Sequence, residues 1–148
     1  MKFFNPAIWI RVFGALALVS GSVNALAAES IAPDFWDAMD GNAIDIAQGL
    51  EIAWGVHLAV WGASILVISL LMRGSALARF GAISVLAVNL AQMVSAGALS
   101  NLGYQAGFDG PGALIGVAVI SVSLITLVAC LRNWNVAANA ESAPAPAM

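Results

Sequence analysis

A chain of 148 residues that is 61% hydrophobic and only 9% charged, with a mean hydropathy of +0.94, falls outside the soluble globular range, where apolar usage is nearer half and charge about a quarter. The net charge is −3, no basic patch suits nucleic acid, and one cysteine, Cys130, excludes an internal disulfide and a cysteine-only metal site. Lipid is the solvent such a composition fits, so the expectation is an all-α integral membrane bundle.

Four uncharged stretches run from Val12 to Ala28, Ile52 to Met72, Phe80 to Leu99 and Gly110 to Leu131. Each approaches the roughly 20 residues that carry a helix across a ~30 Å hydrocarbon core. Membrane strands would need an alternating pattern that these runs lack, and an open sheet leaves backbone groups unsatisfied in lipid. The first stretch, within residues 1–28, has two readings. Ala25-Leu26-Ala27 before Ala28-Glu29 has the form of a signal-peptidase site, whereas Arg11 interrupts apolar residues that already begin at Phe3, as a retained helix would allow. The expectation is therefore a bundle of four hydrophobic helices, or three if the first is a cleaved signal peptide.

Residues 29–49 interleave Ile31, Phe35, Trp36 and Met39 with Asp34, Asp37 and Asp40, giving one apolar and one acidic face at helical spacing. This predicts an amphipathic segment lying on the outer leaflet, with a break at Asp40-Gly41-Asn42. Three transmembrane helices are then expected within residues 50–132, at about 50–73, 77–100 and 111–132. The glycines at 103, 107 and 110 with Pro111 mark an outer loop, and the tail of residues 133–148, with its alternating alanines and prolines from Glu141, is expected to be disordered.

Orientation follows from the five basic residues. Lys2 and Arg11 precede the first stretch, Arg73 and Arg79 separate the second from the third, and Arg132 closes the fourth, so alternating crossings put all of them on one side. The positive-inside rule makes that side the cytoplasm. Residues 73–79 and the C-terminus are then cytoplasmic, residues 29–50 and 101–110 extracytoplasmic, and the expected location is the cell membrane, as a multi-pass protein of a bacterial inner membrane.

In the second helix Glu51, Gly55, Gly62, Ser69 and Arg73 fall within about 40° of one another at ~100° per residue, a small-residue stripe on which another helix can pack closely. A neighbouring face holds Trp54, His57 and Trp61. It reads either as a proton-active or ligand-facing site, or as an interfacial aromatic belt with a histidine bonded to a neighbouring helix. Glu51 lies roughly 8 to 9 Å from His57 along the axis, too far for a direct pair, and as an ionisable group it is the second candidate. The third helix puts Ala78, Gly81, Ala82, Val85, Asn89, Gln92 and Met93 on one side. Asn89 and Gln92 are expected to face protein, as packing bonds or as part of a pathway. In the fourth helix Gly112 and Gly116, followed by Ser123, Thr126 and Cys130, predict a second close crossing.

The absence of a zinc-protease histidine pair, a phosphate-binding glycine loop and a serine elbow leans against an enzyme, and one histidine cannot ligate a haem from both sides. No cofactor or metal is expected; the expected partners are the bilayer and other membrane helices. Three functions fit: an accessory or interaction subunit of a membrane complex, a small oligomeric transporter or channel using His57, Asn89 and Gln92, and a quinone- or lipid-handling enzyme with a pocket of Glu51, Trp54, His57 and Trp61. In hydropathy alone the chain resembles small four-helix bacterial membrane families, and in size and helix count it looks like the small multidrug transporters. It departs from the latter in the first helix, which carries Arg11 near its start and no embedded glutamate.

Overall fold

The computed structural model describes residues 2–36, 41–103 and 113–135, and every element among them is a helix. A 3-10 turn at Lys2–Phe4 leads into α1 (Pro6–Leu26), followed by α2 (Ala28–Phe35), α3 (Asn42–Leu71), α4 (Gly74–Ser100) and α5 (Ala113–Arg132). By length and composition α1, α3 and α4 can each cross a bilayer, whereas α5 contributes a shorter apolar stretch, Gly116–Arg132. Asp37, Met39, Asp40, Gly107, Asp109, Gly110, Pro111, Gly112 and the tail from Glu141 lie outside the described residues.

The first helix starts earlier than the uncharged stretch suggests. The Asn5 side-chain oxygen accepts from Ala7 N at 2.9 Å and Pro6 occupies the first helical position, so cap and proline together set the start. Arg11 therefore lies inside α1, with its long side chain exposed toward the near end of the bundle and Nη2 donating to Ser69 O at 3.4 Å. The acidic segment is not a single element. It divides into α2 and the first turns of α3, separated at Gly41, whose φ of 50° suits a residue without a side chain.

The tightest packing joins α1 to α3, antiparallel, along glycines spaced seven apart on both helices. A Cβ on Gly21 would lie 2.5 Å from Gly55 O, one on Gly55 2.5 Å from Ala25 N, and one on Gly62 2.6 Å from Gly14 O. These backbones touch, so no side chain can be inserted between them. The seven-residue spacing keeps one seam facing the partner along the whole pair.

On its other side α1 supplies Ile10 and Phe13 to the main core, with Leu77, Ala82, Val85 and Val88 of α4, Ile65 of α3 and Cys130 of α5. The first helix is thus the central one: it packs on α3, α4 and α5, while α3 and α4 touch little despite being joined by only Met72 and Arg73. A smaller cluster of Ala32, Trp36 and Ala47, with Phe35, Ile44 and Leu99, closes the acidic end. At the opposite end Asn133 Nδ2 donates to Phe4 O at 3.2 Å, the Arg132 guanidinium lies 4.8 Å from the Phe4 ring centre, and Arg79 Nε donates to Trp134 O at 3.3 Å. Arg11, Arg79 and Arg132 are thereby gathered at one end and Glu29, Asp34 and Asp45 at the other.

Candidate functional site

Two polar features stand out on this scaffold, and α3 carries both. The first is Glu51, only 2% exposed at the junction of α1, α2 and α3. Its Oε2 accepts from Asn24 Nδ2 at 2.7 Å and its Oε1 from the Trp36 indole Nε1 at 3.0 Å, while the same Asn24 amide donates to Glu51 O at 2.9 Å. Both carboxylate oxygens are held by neutral donors, and no cation among the described residues is a partner. A buried carboxylate is costly unless hydrogen-bonded, so these bonds fasten α2 and the end of α1 to α3. The participation of Asn24 and Trp36 was not apparent from spacing. Asn24 does stand three residues after Gly21, on the same face of α1 and the one carboxamide in that helix, which is the available signal.

The second feature is a groove of about 330 Å³ between α3 and α4, opening on the outer surface of the bundle. Leu50, Trp54, His57 and Trp61 form one wall, and Val88, Gln92, Ser95 and Leu99 the other. It exists because α1 draws α3 in along the glycine seam while α4 packs on α5, which leaves these two walls apart. Of the sequence candidates, Trp54, His57, Trp61 and Gln92 come together here, and Glu51 faces away toward α1. Among the described residues His57 bonds to no neighbouring helix: its Nδ1 lies 2.6 Å from Ala53 O on its own helix. A carbonyl only accepts, so Nδ1 carries the hydrogen, and Nε2 is left without a hydrogen-bond partner among the described residues. The side chains of Gln92 and Ser95 make no hydrogen bond among the described residues. Three polar groups with unspent capacity therefore line an apolar slot on a surface suited to lipid.

The remaining candidates hold helices together. Asn89 Nδ2 donates to Ser123 Oγ of α5 at 3.1 Å and to Val85 O at 2.8 Å, which separates Asn89 from Gln92. Thr126, fully buried, places its hydroxyl 2.7 Å from Val122 O and 3.2 Å from Trp9 O of α1. Gly55 and Gly62 belong to the α1 seam, and Gly116 is half-buried on α5. No group of three or more histidine, cysteine or acidic side chains able to hold a metal occurs among the described residues.

No family model, curated protein or solved structure matches the chain.

Proposed function

We propose that this chain is a four-crossing, multi-pass protein of a bacterial inner membrane that serves as an accessory subunit, receiving one helix of a partner membrane protein in the α3/α4 groove. The observation that carries this reading is the set of unspent polar groups of His57, Gln92 and Ser95 in a slot facing lipid. A polar group left unmatched in hydrocarbon is costly, so the slot calls for an occupant that brings hydrogen-bonding groups. Each wall runs over twelve residues, from Leu50 to Trp61 and from Val88 to Leu99, roughly 16 Å or three helical turns. The small residues Ala53, Ala91 and Ser95 let a helix approach closely, and a polar side chain on that helix would meet His57 Nε2 and the Gln92 amide.

Two features support four crossings with α1 retained. Ile10, Phe13, Gly14 and Gly21 form the centre of the bundle, and removing residues 1–27 would open the core and strip Glu51 of Asn24. The arginines gathered at one end make that end cytoplasmic by the positive-inside rule, with α2 and the turn after α4 on the outer side. Mass spectrometry of the purified chain should then find a mass that includes residues 2–27; a chain starting at Ala28 would overturn this part.

The groove is tested in cells with a photoreactive residue at position 92. The expected result is one stoichiometric adduct with a polypeptide of another sequence, weakened by His57→Leu, and none from the same probe at Leu124, which is exposed on α5. Adducts of the chain with itself alone would replace the accessory reading with the oligomeric transporter, and equal labelling from positions 92 and 124 would remove the groove from either role.

A further inference from the structure

We infer that the basic end of the bundle holds a binding site for the phosphodiester of an anionic phospholipid. A cavity of about 230 Å³ lies where α1, the α3–α4 connection and the end of α5 meet, lined by Asn5, Arg11, Arg73 and Asn133 together with Leu70 and Leu77. No acidic side chain among the described residues lines it. Both guanidiniums have donors to spare: Arg11 makes one long bond, 3.4 Å to Ser69 O, and Arg73 is exposed and makes no hydrogen bond or ion pair among the described residues. This distinguishes the pair from Arg79 and Arg132 at the same end, which are engaged with Trp134 and Phe4.

Two arginines facing one cavity without a carboxylate repel each other and match the oxygens of a phosphate, which a guanidinium binds through paired donors. The amino end of α4 opens at the same place, because Arg73 gives no side-chain cap there and Gly74 lines the cavity, so the helix dipole adds to the attraction. Asn5 and Asn133 add polar capacity: the Asn5 oxygen is used on Ala7 N and the Asn133 amide on Phe4 O and Ala129 O, leaving an Asn5 amide to donate and an Asn133 oxygen to accept from a headgroup hydroxyl.

A lipid rather than free phosphate fits because the apolar run of α3 ends at this level and Leu70 and Leu71 are exposed just inside it, where acyl chains would continue. A zwitterionic headgroup would bring its own ammonium toward the two guanidiniums, so a net negative headgroup is selected. The site lies at the opposite end of α3 from the acidic cluster and does not use the α3/α4 groove, so it can stand or fall apart from the accessory reading.

The test is native mass spectrometry of the full chain in a neutral detergent, titrated with phosphatidylglycerol or phosphatidylcholine. Phosphatidylglycerol should bind one to one and roughly thirtyfold more tightly than phosphatidylcholine, the factor for two arginines at a membrane surface. That preference should vanish in Arg11→Gln/Arg73→Gln and persist in Arg79→Gln/Arg132→Gln, which removes the same charge from the same end. Equal affinity for the two lipids, or equal loss in the two double variants, would overturn the site. Inorganic phosphate alone binding as tightly as phosphatidylglycerol would overturn the lipid assignment. Should Arg11→Gln/Arg73→Gln fail to fold, Arg79→Gln/Arg132→Gln decides: a preference that persists there supports the cavity, and one that vanishes overturns it.

Discussion

Glycine-to-alanine substitution gives a graded test of the α1/α3 seam, because the added atom is the same at every position and only its surroundings differ. At Gly21 the new Cβ would sit 2.5 Å from Gly55 O, and an ordinary contact begins at 3.4 Å, so the helices must part by close to an ångström. The obstructing atoms are backbone and cannot rotate away. Overpacking of this kind costs about 1–3 kcal/mol, and a gap of that size forfeits a quarter to a half of the dispersion energy of neighbouring atoms along the seam. Alanine's better helix propensity returns up to about 1 kcal/mol, so a net loss of about 1–2 kcal/mol is expected for Gly21→Ala, and likewise for Gly55→Ala and Gly62→Ala. Gly14→Ala should lose less, since two of its three neighbours at 3.0–3.2 Å are the side chains of Ile65 and Leu66, which can shift. Gly49→Ala and Gly97→Ala meet nothing within 4 Å and should be neutral or slightly stabilising. Reversible unfolding in mixed micelles, followed by tryptophan fluorescence as anionic detergent is raised, supplies the free energies. If Gly21→Ala and Gly49→Ala unfold at the same detergent fraction, the backbone-contact argument is wrong.

Other substitutions probe the polar contacts. Glu51→Gln turns an amide N–H toward either Asn24 or Trp36, donor against donor, and should cost about 1–3 kcal/mol; hydrogen exchange should quicken across residues 28–36, and unchanged exchange there would show that the carboxylate does not fasten α2. Glu51→Leu removes both side-chain acceptors, leaving Asn24 only its bond to the backbone carbonyl of residue 51, and is expected to loosen α2 further by the same measurement. Asn89→Leu removes one interhelical bond to Ser123 and should cost only about 0.6 kcal/mol in the micelle assay, so a loss several times larger would assign Asn89 a role beyond that bond.

Periodicity along one helix was sufficient to find the stripe of Gly55, Gly62 and Ser69 and the face of Trp54, His57 and Trp61, because both depend only on the turn of α3 itself. It could not say which helix would cover the stripe. That partner is set by register between Gly14 and Gly62 and between Gly21 and Gly55, a relation across two helices that no single window contains. Glu51 looked like a charge at a helix end for the same reason: its burial depends on Trp36, fifteen residues earlier, folding back over it. Asn89 and Gln92 were placed on one side of α4, yet three residues turn a helix by ~300°, and the remaining ~60° sends one to α5 and the other to the groove. The polar residues on each face were legible in the sequence; their assignment to a neighbour or to open surface required the packing.

The helix α3 explains why seam and groove occur together. Gly55 and Gly62 face α1, and Trp54 and Trp61, each one position earlier, repeat at the same seven-residue interval about 100° around the helix. Two stripes with one period run side by side, so the supercoil that keeps the glycines against α1 also keeps the indoles aligned along the groove wall. Close approach at the glycines draws α3 to the central helix and leaves α4 to find its packing on α1 and α5. The tryptophans are too bulky for a seam and are left on the exposed side, with His57 between them. A chain that needed only a compact bundle could have covered this wall with leucine. The positions hold two indoles, an imidazole and, across the groove, a carboxamide; the imidazole and the carboxamide keep hydrogen-bonding capacity that the described residues do not use, and that surplus is why we place the working surface there.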